Sequence, residues 1–318
     1  MTGDERSEQT AGERGGKTAG ETVLRVDAIE DLDAYDSGEP PTIVQISDIH
    51  GYLEDGQSAL LAVGEVDEFD PIVELDAENR LHWVGGDDYV LVVNGDVVDR
   101  GPASDECLEL VWRLQREAPP GHVRYHLGNH EMALVLPAVL DWPQWYVGQQ
   151  PASVSNDFYE AILDGRATVA FEGYEYTYSH AGSPEPIDPA ACNESLRAAV
   201  EEIRSAPRID RGEVQRSLVD RFPMVFGMGG ASGRGPGAGI LWLDYRHMPE
   251  DAPKQVVGHT KQMKPTREGN VVCGNVIRKN QGTIGGEGVI VETPDRIGVV
   301  VRKEDRSASS TFFPPLDQ

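Results

Sequence analysis

The sequence predicts an α/β fold in which successive β-strands end in polar side chains at one edge of a sheet. From Pro40 onward, short apolar and β-branched runs alternate with helical patterns. Three strand-like runs end in acidic or amide residues, and two later ones end in histidine. Because the carboxyl ends of strands in α/β sheets face the ligand crevice, we expect these side chains to lie on one rim.

The predicted elements follow from the period of the apolar residues, two for strands and 3.6 for helices. The helix over 104–116, for example, places Cys107, Leu108, Val111 and Leu114 on one face. In chain order we predict a strand at 42–46, a helix at 58–66, a two-stranded excursion at 72–84, a strand at 89–93, the helix at 104–116, a strand at 122–127, a helix at 131–140, a hairpin at 168–179, polar helices at 188–222, a glycine-rich loop at 227–239, and strands at 240–243, 255–257, 271–277, 288–291 and 297–301.

The chain is predicted to contain one folded domain, over residues 40–305. Residues 1–39 begin with a stretch that has almost no apolar side chains to bury, so we expect a disordered or loosely docked tail. Residues 306–318 are predicted to be a mobile C-terminal tail.

The composition restricts the partners that the chain can have. It carries 28 basic and 54 acidic side chains, a formal net charge of −26. Such acidity argues against binding to nucleic acids or to anionic membranes, since both are driven by neutralising phosphate charge. Only 6 of the basic residues are lysine. An acidic, lysine-poor surface suits concentrated salt, so we hypothesise a halophilic source; an acidic mesophilic protein is the alternative.

Three cysteines stand far apart, at positions 107, 192 and 273, and none forms a CxxC pair. The sequence therefore predicts neither a disulfide framework nor a thiolate zinc site. The polar start of the chain does not resemble a signal peptide, and no apolar run approaches the roughly 20 residues that span a bilayer. We expect a cytoplasmic protein.

Five short segments each place a potential metal ligand after a strand-like run. They are Asp48-Ile49-His50-Gly51, Gly95-Asp96-Val97-Val98-Asp99-Arg100-Gly101, Gly128-Asn129-His130-Glu131, His180-Ala181-Gly182 and Gly258-His259-Thr260. Carboxylate, amide and imidazole ligands without thiolate suit Mn²⁺, Fe, Zn²⁺ or Co²⁺ better than Ca²⁺. Two such metals close together activate a water molecule and clamp phosphate oxygens, so the pattern predicts a centre that attacks phosphate esters.

The geometry of an extended chain suggests how these ligands would act. Asp48 and His50, two positions apart, should point to the same side and grip one metal. The carboxylate of Asp96 can bridge two metals. His130, oriented by Asp99, could be a general acid for the leaving alkoxide. Taken singly, each motif has a plainer interpretation, such as a helix cap or a buried structural histidine, but five in this order are hard to obtain by chance.

The ordered motifs resemble those of the calcineurin-like metallophosphoesterases, and most closely the serine/threonine phosphoprotein phosphatase branch. The resemblance covers about residues 42–302 and implies a four-layer α/β/β/α sandwich of two mixed sheets. It implies a first metal held by Asp48, His50 and Asp96, and a second held by Asp96, Asn129, His180 and His259. It further implies that His130 and Asp99 act as an acid pair and that Arg100, with Arg246 as a second candidate, binds the substrate phosphate.

The resemblance implies a dinuclear enzyme with two divalent ions, with Mn²⁺ as the expected metal. The expected substrate is a phosphate monoester, either phosphoserine or phosphothreonine in a protein or a small phosphoester. A symmetrical diadenosine tetraphosphate hydrolase shares the motifs and remains an alternative, with the aromatic stretch 142–146 available to stack a base. A non-catalytic scaffold on the same fold is the third reading. The sequence leaves the oligomeric state undetermined. The segment 270–281 lacks the acidic residue that the resemblance leads us to expect there.

Overall fold

The computed structural model describes residues 24–33 and 40–316. Its strands are β1 (Thr42–Ile46), β2 (Val73–Leu75), β3 (Leu81–Trp83), β4 (Tyr89–Asn94), β5 (Val123–His126), β6 (Ala167–Thr168), β7 (Ala170–Glu172), β8 (Thr177–Ser179), β9 (Gln255–Val257), β10 (Thr266–Glu268), β11 (Val271–Cys273), β12 (Gly288–Thr293), β13 (Arg296–Arg302) and β14 (Ala308–Phe312). Its helices are α1 (Leu53–Leu61), α2 (Ser104–Glu117), α3 (Asn129–Val135), α4 (Tyr146–Gln149), α5 (Ala152–Leu163), α6 (Pro189–Ser205), α7 (Arg211–Arg221), α8 (Pro223–Phe226) and α9 (Ile277–Asn280).

Most of these strands form two mixed sheets. The first has the order β14-β13-β12-β1-β4-β5-β6, and the second has the order β10-β11-β9-β8-β7. Strands β1, β4, β5 and β6 run parallel, and β12 to β14 add antiparallel strands beside them. In the second sheet β8, β9 and β11 are parallel, with an antiparallel strand at each edge. The predicted α/β sandwich of two mixed sheets is confirmed.

Alternation along the central strands explains the layers. On β4, Val90 and Val92 are fully buried in a core shared with Tyr178 and Val256 of the second sheet. The intervening Leu91 packs into the larger core on the helical side. Both faces of the strand are therefore apolar, as is typical of strands covered on both sides. The carboxyl ends of the parallel strands are left as the place where polar side chains can gather.

The central elements agree with the sequence predictions, including the excursion that becomes β2 and β3 and the helix that becomes α2. The strand predicted at 240–243 is wrong, because these residues form buried turns in which Ile240 N donates to Met224 O. The strand predicted at 271–277 is shorter, since it ends at Cys273 and α9 begins at Ile277. No helix among the described residues is long and apolar enough to span a membrane.

The C-terminal prediction is corrected by β14. Residues Ala308–Phe312 pair with β13 instead of forming part of a mobile tail. The guanidinium of Arg296 lies 3.6 Å from the centroid of the Phe312 ring, which helps to hold this edge strand. Its serines and threonine show no apolar alternation, so the pairing with β13, and not the composition, makes this segment a strand. The first 23 residues and residues 34–39 lie outside the described part of the chain. Within 24–33, Val26, Ile29 and Leu32 are buried.

One buried carboxyl group between the sheets makes a pH-dependent contribution to stability. Glu292 on β12 accepts hydrogen bonds from Tyr178 Oη at 2.7 Å and Glu175 N at 2.8 Å. Burial raises the pKa of Glu292 from 4.5 to about 7, although these hydrogen bonds lower it. The folded protein therefore holds this proton more tightly than the unfolded chain does. The resulting stabilisation, roughly 3 kcal/mol, is complete at low pH and is lost as the pH rises through about 7.

We expect Glu292→Gln to remove most of this pH dependence, because glutamine keeps the shape of the side chain and has no proton to lose. Urea unfolding of both proteins between pH 5 and pH 8 measures it. The difference between their free energies of unfolding should change by about 2.5 kcal/mol across that range, in favour of the variant at high pH. Parallel curves would show that Glu292 is not the titrating group.

Candidate functional site

The five predicted motifs meet in one cleft at the carboxyl ends of β1, β4, β5, β8 and β9. Two groups of side chains bring ligand atoms within 4.8 Å of one another: His50, Asp96 and His130 in one, and Asp96, His180 and His259 in the other. Asp96 belongs to both groups. The cleft is lined by His50, Asp96, Arg100, Asn129, His130, Trp142, Trp145, Arg234, Trp242, His259 and Arg278.

The backbone at this site is strained. Eight described non-glycine residues have positive φ angles, and six of them belong to the motifs: Asp48, His50, Asp96, Asp99, Arg100 and His259. Such conformations are costly for residues with a Cβ atom and persist only where the surrounding structure enforces them. These left-handed conformations also correct the predicted geometry of Asp48 and His50. Asp48 and His50 come together through left-handed turns that follow β1, not through alternation along an extended strand.

Two glycines show how closely the loops approach. A Cβ atom on Gly128 would lie 2.2 Å from Asp96 Oδ1, and one on Gly258 would lie 2.4 Å from Asp48 Oδ2. No side chain larger than hydrogen fits at either position without moving a predicted ligand. These glycines therefore belong to the motifs for a steric reason.

Asp96 lies at the centre of the predicted ligands. Its Oδ2 atom is 3.4 Å from both His50 Nε2 and His180 Nε2. His180 Nε2 in turn lies 3.2 Å from His259 Nδ1. Asp48 completes the group, with Oδ1 at 3.8 Å from His50 Nε2. One carboxylate thus connects the two sets of imidazoles, as a bridging ligand would.

The imidazoles are oriented in the way that metal ligands require. His50 Nδ1 lies 2.9 Å from Val98 O, and His180 Nδ1 lies 2.8 Å from Asn94 O. These carbonyls accept the ring proton, so the Nε2 lone pairs of neutral rings point at Asp96. Lone pairs of nitrogen and carboxylate oxygen that converge in a buried space need positive charge between them. The donor set therefore fits divalent cations.

The pKa shifts of these carboxylates and imidazoles also indicate that the site suits divalent cations. Burial, and then the charge of Asp96, raise the pKa of Asp48 to about 7, with His180 opposing them. Burial lowers the pKa of His180, but Asp96 and Asp48 outweigh it and bring the value to about 9. Burial lowers the pKa of His50 to about 3. Without cations, neighbouring carboxylates and imidazoles must share protons; bound divalent ions would replace those protons and keep the carboxylates ionised.

His130 and Asp99 form a buried pair beside these ligands. His130 Nδ1 is hydrogen-bonded to Asp99 Oδ2. Asp99 Oδ1 also accepts the backbone N–H of Val147 at 3.0 Å, which fixes the carboxylate. The other ring nitrogen of His130, Nε2, faces the cleft and lies 3.3 Å from Arg100 Nη2. This nitrogen can therefore reach a bound substrate, while Asp99 holds the ring.

Three tryptophans form one wall of the cleft. The rings of Trp142 and Trp145 lie 5.2 and 6.4 Å from that of His130, centroid to centroid. Trp242 packs against Trp142 at 6.0 Å. The guanidinium of Arg100 lies 4.2 Å from the Trp145 ring centroid, a cation–π contact that positions this exposed arginine.

Two further arginines line the cleft, and neither is Arg246. The side chain of Arg246 is 74% exposed, and its Nη2 donates to Asp244 Oδ2 at 2.7 Å outside the lining residues. Arg234 reaches the cleft from the glycine-rich loop, where its Nη2 lies 3.5 Å from Asp244 Oδ2. Arg278 enters from α9. The structure therefore does not bring Arg246 into the cleft with Arg100.

The glycine-rich loop is ordered by its own backbone. Gly229 N donates to Gly233 O at 2.8 Å, and Gly239 N donates to Gly227 O at 2.9 Å. A loop with these cross-links is a fixed wall of the cleft that presents Arg234. Glycine content alone does not distinguish such a wall from a mobile flap or a plain connection.

Two buried side chains, Glu131 and Asn275, support the predicted ligands, and the motifs themselves assign no role to either. The Glu131 carboxylate accepts the N–H groups of Asp96 at 2.9 Å, Val97 at 2.8 Å and Gly128 at 2.8 Å, which ties two ligand loops together. Asn275 Nδ2 donates to Asp48 Oδ1 at 2.6 Å. Asn275 stands in the segment where an acidic residue was expected. Glu131 could have been inferred from its position three residues after Gly128, where a capping side chain reaches back.

Comparisons with known proteins agree with this geometry. The family model described as calcineurin-like phosphoesterase matches residues 41–210, more than half of the chain. Shewanella-like protein phosphatase 2 from Arabidopsis thaliana is 34% identical over 96 residues, which are 30% of this chain and 22% of that protein. The match thus spans less than a quarter of that relative.

Solved structures show the same fold. The crystal structure of a cold-active protein-tyrosine phosphatase from a psychrophilic Shewanella species superposes with a TM-score of 0.54 at 18% identity, covering 85% of this chain and 80% of that one. A second structure, of a cold-active protein tyrosine phosphatase at 1.1 Å, gives a TM-score of 0.55 at 18% identity, over 85% of this chain and 78% of that one.

Proposed function

Because this chain belongs to the calcineurin-like phosphoesterases, we propose that it is a dinuclear-metal-dependent phosphatase that removes phosphate from phosphorylated residues of proteins. The observation that carries the proposal is the position of His130. Its Nε2 atom faces the cleft between Arg100 and the group of potential metal ligands around Asp96, while Asp99 is hydrogen-bonded to Nδ1. A proton donor, a guanidinium and a metal-ligand cluster thus surround one small space. This is the arrangement that cleavage of a phosphate monoester requires.

Asp48, His50 and Asp96 would hold one divalent ion, and Asp96, Asn129, His180 and His259 would hold the other. When bound, the two ions supply Lewis-acid polarisation of the phosphate and an activated water. We propose Mn²⁺, although the oxygen and nitrogen ligands also suit Fe, Zn²⁺ or Co²⁺.

The chain's own residues perform the remaining steps. Arg100 and Arg234 bind phosphate oxygens through their planar N–H donors. His130 gives the proton on Nε2 to the departing alkoxide, and Asp99 Oδ2 stabilises the imidazolium through Nδ1. The tryptophan wall excludes water from one side of the cleft, which strengthens each electrostatic contact inside it.

Phosphoserine and phosphothreonine are the proposed substrates, and phosphotyrosine is a second candidate. The second candidate is favoured by Trp142 and Trp145, whose rings lie beside His130 and could flank an aromatic leaving group. Both cold-active structures with this fold, one of them from a Shewanella species, are described as protein tyrosine phosphatases. The test is hydrolysis, with and without Mn²⁺, of one peptide sequence carrying phosphoserine, phosphothreonine or phosphotyrosine, beside diadenosine tetraphosphate. Turnover of the dinucleotide alone would replace the proposal with a nucleotide hydrolase.

The phosphate arginines can be distinguished by two matched substitutions. We expect Arg234→Ala to raise KM for p-nitrophenyl phosphate at least about tenfold, because a charge-assisted phosphate contact contributes roughly 1.5–3 kcal/mol. Arg246→Ala removes the ion pair between the exposed Arg246 and the buried Asp244, and it should change KM less than about twofold because Arg246 lies outside the cleft. Steady-state kinetics of both variants measures this. A large effect of Arg246→Ala alone would restore Arg246 as the phosphate ligand.

We also propose that the protein is adapted to high salt. The net charge of −26 destabilises the folded state by self-repulsion, and added salt screens it. The midpoint of thermal unfolding should therefore rise by several degrees between low and molar KCl. A midpoint that is independent of KCl would refute the adaptation without affecting the proposed activity.

A further inference from the structure

A group of cations continues from the cleft onto the surface beyond the proposed phosphate arginines. We call Lys261, Arg278 and Lys279 the basic rim. Arg278 is half-buried and lines the cleft together with Arg100 and Arg234, whereas the two lysines are exposed. Lys279 follows Arg278 directly in α9, and Lys261 precedes Gln262, whose backbone is hydrogen-bonded to the segment before α9. The three cations therefore lie on neighbouring segments of the surface.

The rim is held in place by hydrogen bonds beneath it. Gln262 N donates to Asn275 O at 2.8 Å, which fixes the loop that carries Lys261 next to the segment that leads into α9. At the end of α9 the buried Asn280 donates through Nδ2 to Met263 O at 3.1 Å and to Gly286 O at 3.0 Å. One amide thus joins both loops to the helix. The backbone segments that carry the three cations are consequently held at fixed positions relative to one another.

The rim cations have no acidic partners among the described residues. Other basic side chains of this acidic protein do: Arg80, Arg221 and Arg302 each form ion pairs with carboxylates. Unpaired like charges at fixed positions repel each other, so an anion placed between them gains attraction and also relieves that repulsion. In a chain with 54 acidic and 28 basic side chains, this grouping concentrates positive charge beside the cleft.

We propose that the basic rim is a second anion subsite, which binds acidic side chains adjacent to the phosphorylated residue of a protein substrate. This inference rests on the proposed phosphatase function and specifies its substrate class. The subsite is open at the surface, so it suits a peptide strand that passes over it with its phosphate in the cleft. Met263 and Ile284, exposed at 61% and 59%, add apolar surface on the two loops that Asn280 fixes. A peptide with acidic and apolar residues fits this combination.

The experiment compares two phosphopeptides that differ only in the residues flanking the phosphorylated position, aspartate in one and alanine in the other. We expect the wild-type protein to favour the acidic peptide about tenfold in kcat/KM at low salt, from two or three charge contacts of roughly twofold to fivefold each. The preference should fall in molar KCl, which screens exposed charges. The double variant Lys261→Gln/Lys279→Gln should reduce it to about twofold, and Lys279→Glu, which changes the charge of the rim by the same two units, should reduce it to a similar extent.

The matched control is Lys254→Gln, an exposed lysine that precedes β9, at the end of the strand opposite His259, and pairs with Glu175. This control should keep the full preference. Hydrolysis of both peptides at equal kcat/KM would overturn the proposed role of the basic rim and leave the proposed phosphatase function intact. Hydrolysis of neither peptide would overturn both. A preference that survives in the lysine variants, while their KM for diadenosine tetraphosphate rises, would assign the rim to a polyphosphate chain and also overturn the proposal.

Discussion

Asp96→Asn is expected to abolish metal-dependent hydrolysis, with a loss in kcat/KM of at least about 10³-fold. Its Oδ2 atom lies 3.4 Å from imidazole nitrogens on both sides, so one substitution weakens both proposed metal positions. Loss of a group that only orients a ligand costs about 10–100-fold in metal affinity, and loss of a shared charged ligand should exceed that. Asparagine keeps the oxygen that accepts the N–H of His130. The fold is therefore expected to remain intact.

Metal binding is measured separately from activity. Mn²⁺ should raise the unfolding temperature of the wild-type protein, because a ligand that binds only the folded state stabilises it. This rise should disappear in Asp96→Asn. The control is Asp295→Asn, which removes an exposed carboxylate between β12 and β13 and should retain both the shift and the activity. An unchanged Mn²⁺ shift in Asp96→Asn would show that the ions bind elsewhere, even if activity were lost.

The sequence predicted which side chains converge better than the way in which they converge. Strand ends in an α/β sheet converge whatever the details of the loops, so the placement of Asp96, His180 and His259 on one rim follows from topology. The conformations of these loops do not. Asp48 and His50 have φ angles of 54° and 50°, which no local pattern announces, because the surrounding loops impose them.

The sequence missed residues whose position depends on contacts with distant parts of the chain. Arg278 is one of them, because it lines the cleft from the short helix α9, whose own residues form no recognisable site motif. Arg246 lay nearest to the expected motif, yet the bond from its own backbone N–H to Asp244 and their ion pair direct it to the surface. The strand at Ala308–Phe312 was missed for a related reason, since its partner strand, and not its composition, makes it a strand.

His130→Ala is expected to lower kcat by about 10²–10⁴-fold for a phosphoserine peptide. For p-nitrophenyl phosphate the loss should be much smaller, because the nitrophenolate leaves readily without a proton. Asp99→Asn should also lower kcat more for the phosphoserine peptide than for p-nitrophenyl phosphate. Both losses should be smaller than in His130→Ala, since the variant leaves the ring in place and removes only the charge that stabilises the imidazolium. Comparison of kcat for the two substrates in each variant measures the contribution of the proton donor.

His130 also lies in the group formed with His50 and Asp96, within reach of a metal position, and the same variant decides between the two roles. A proton donor can be removed without loss of the ions, so the Mn²⁺-induced rise in unfolding temperature should persist in His130→Ala. Equal losses for both substrates together with a vanished Mn²⁺ shift would make His130 a ligand instead. The hydrogen bond to Asp99 favours the donor, because that carboxylate fixes Nδ1 and leaves Nε2, which faces Arg100 in the cleft, as the nitrogen that can exchange a proton with substrate.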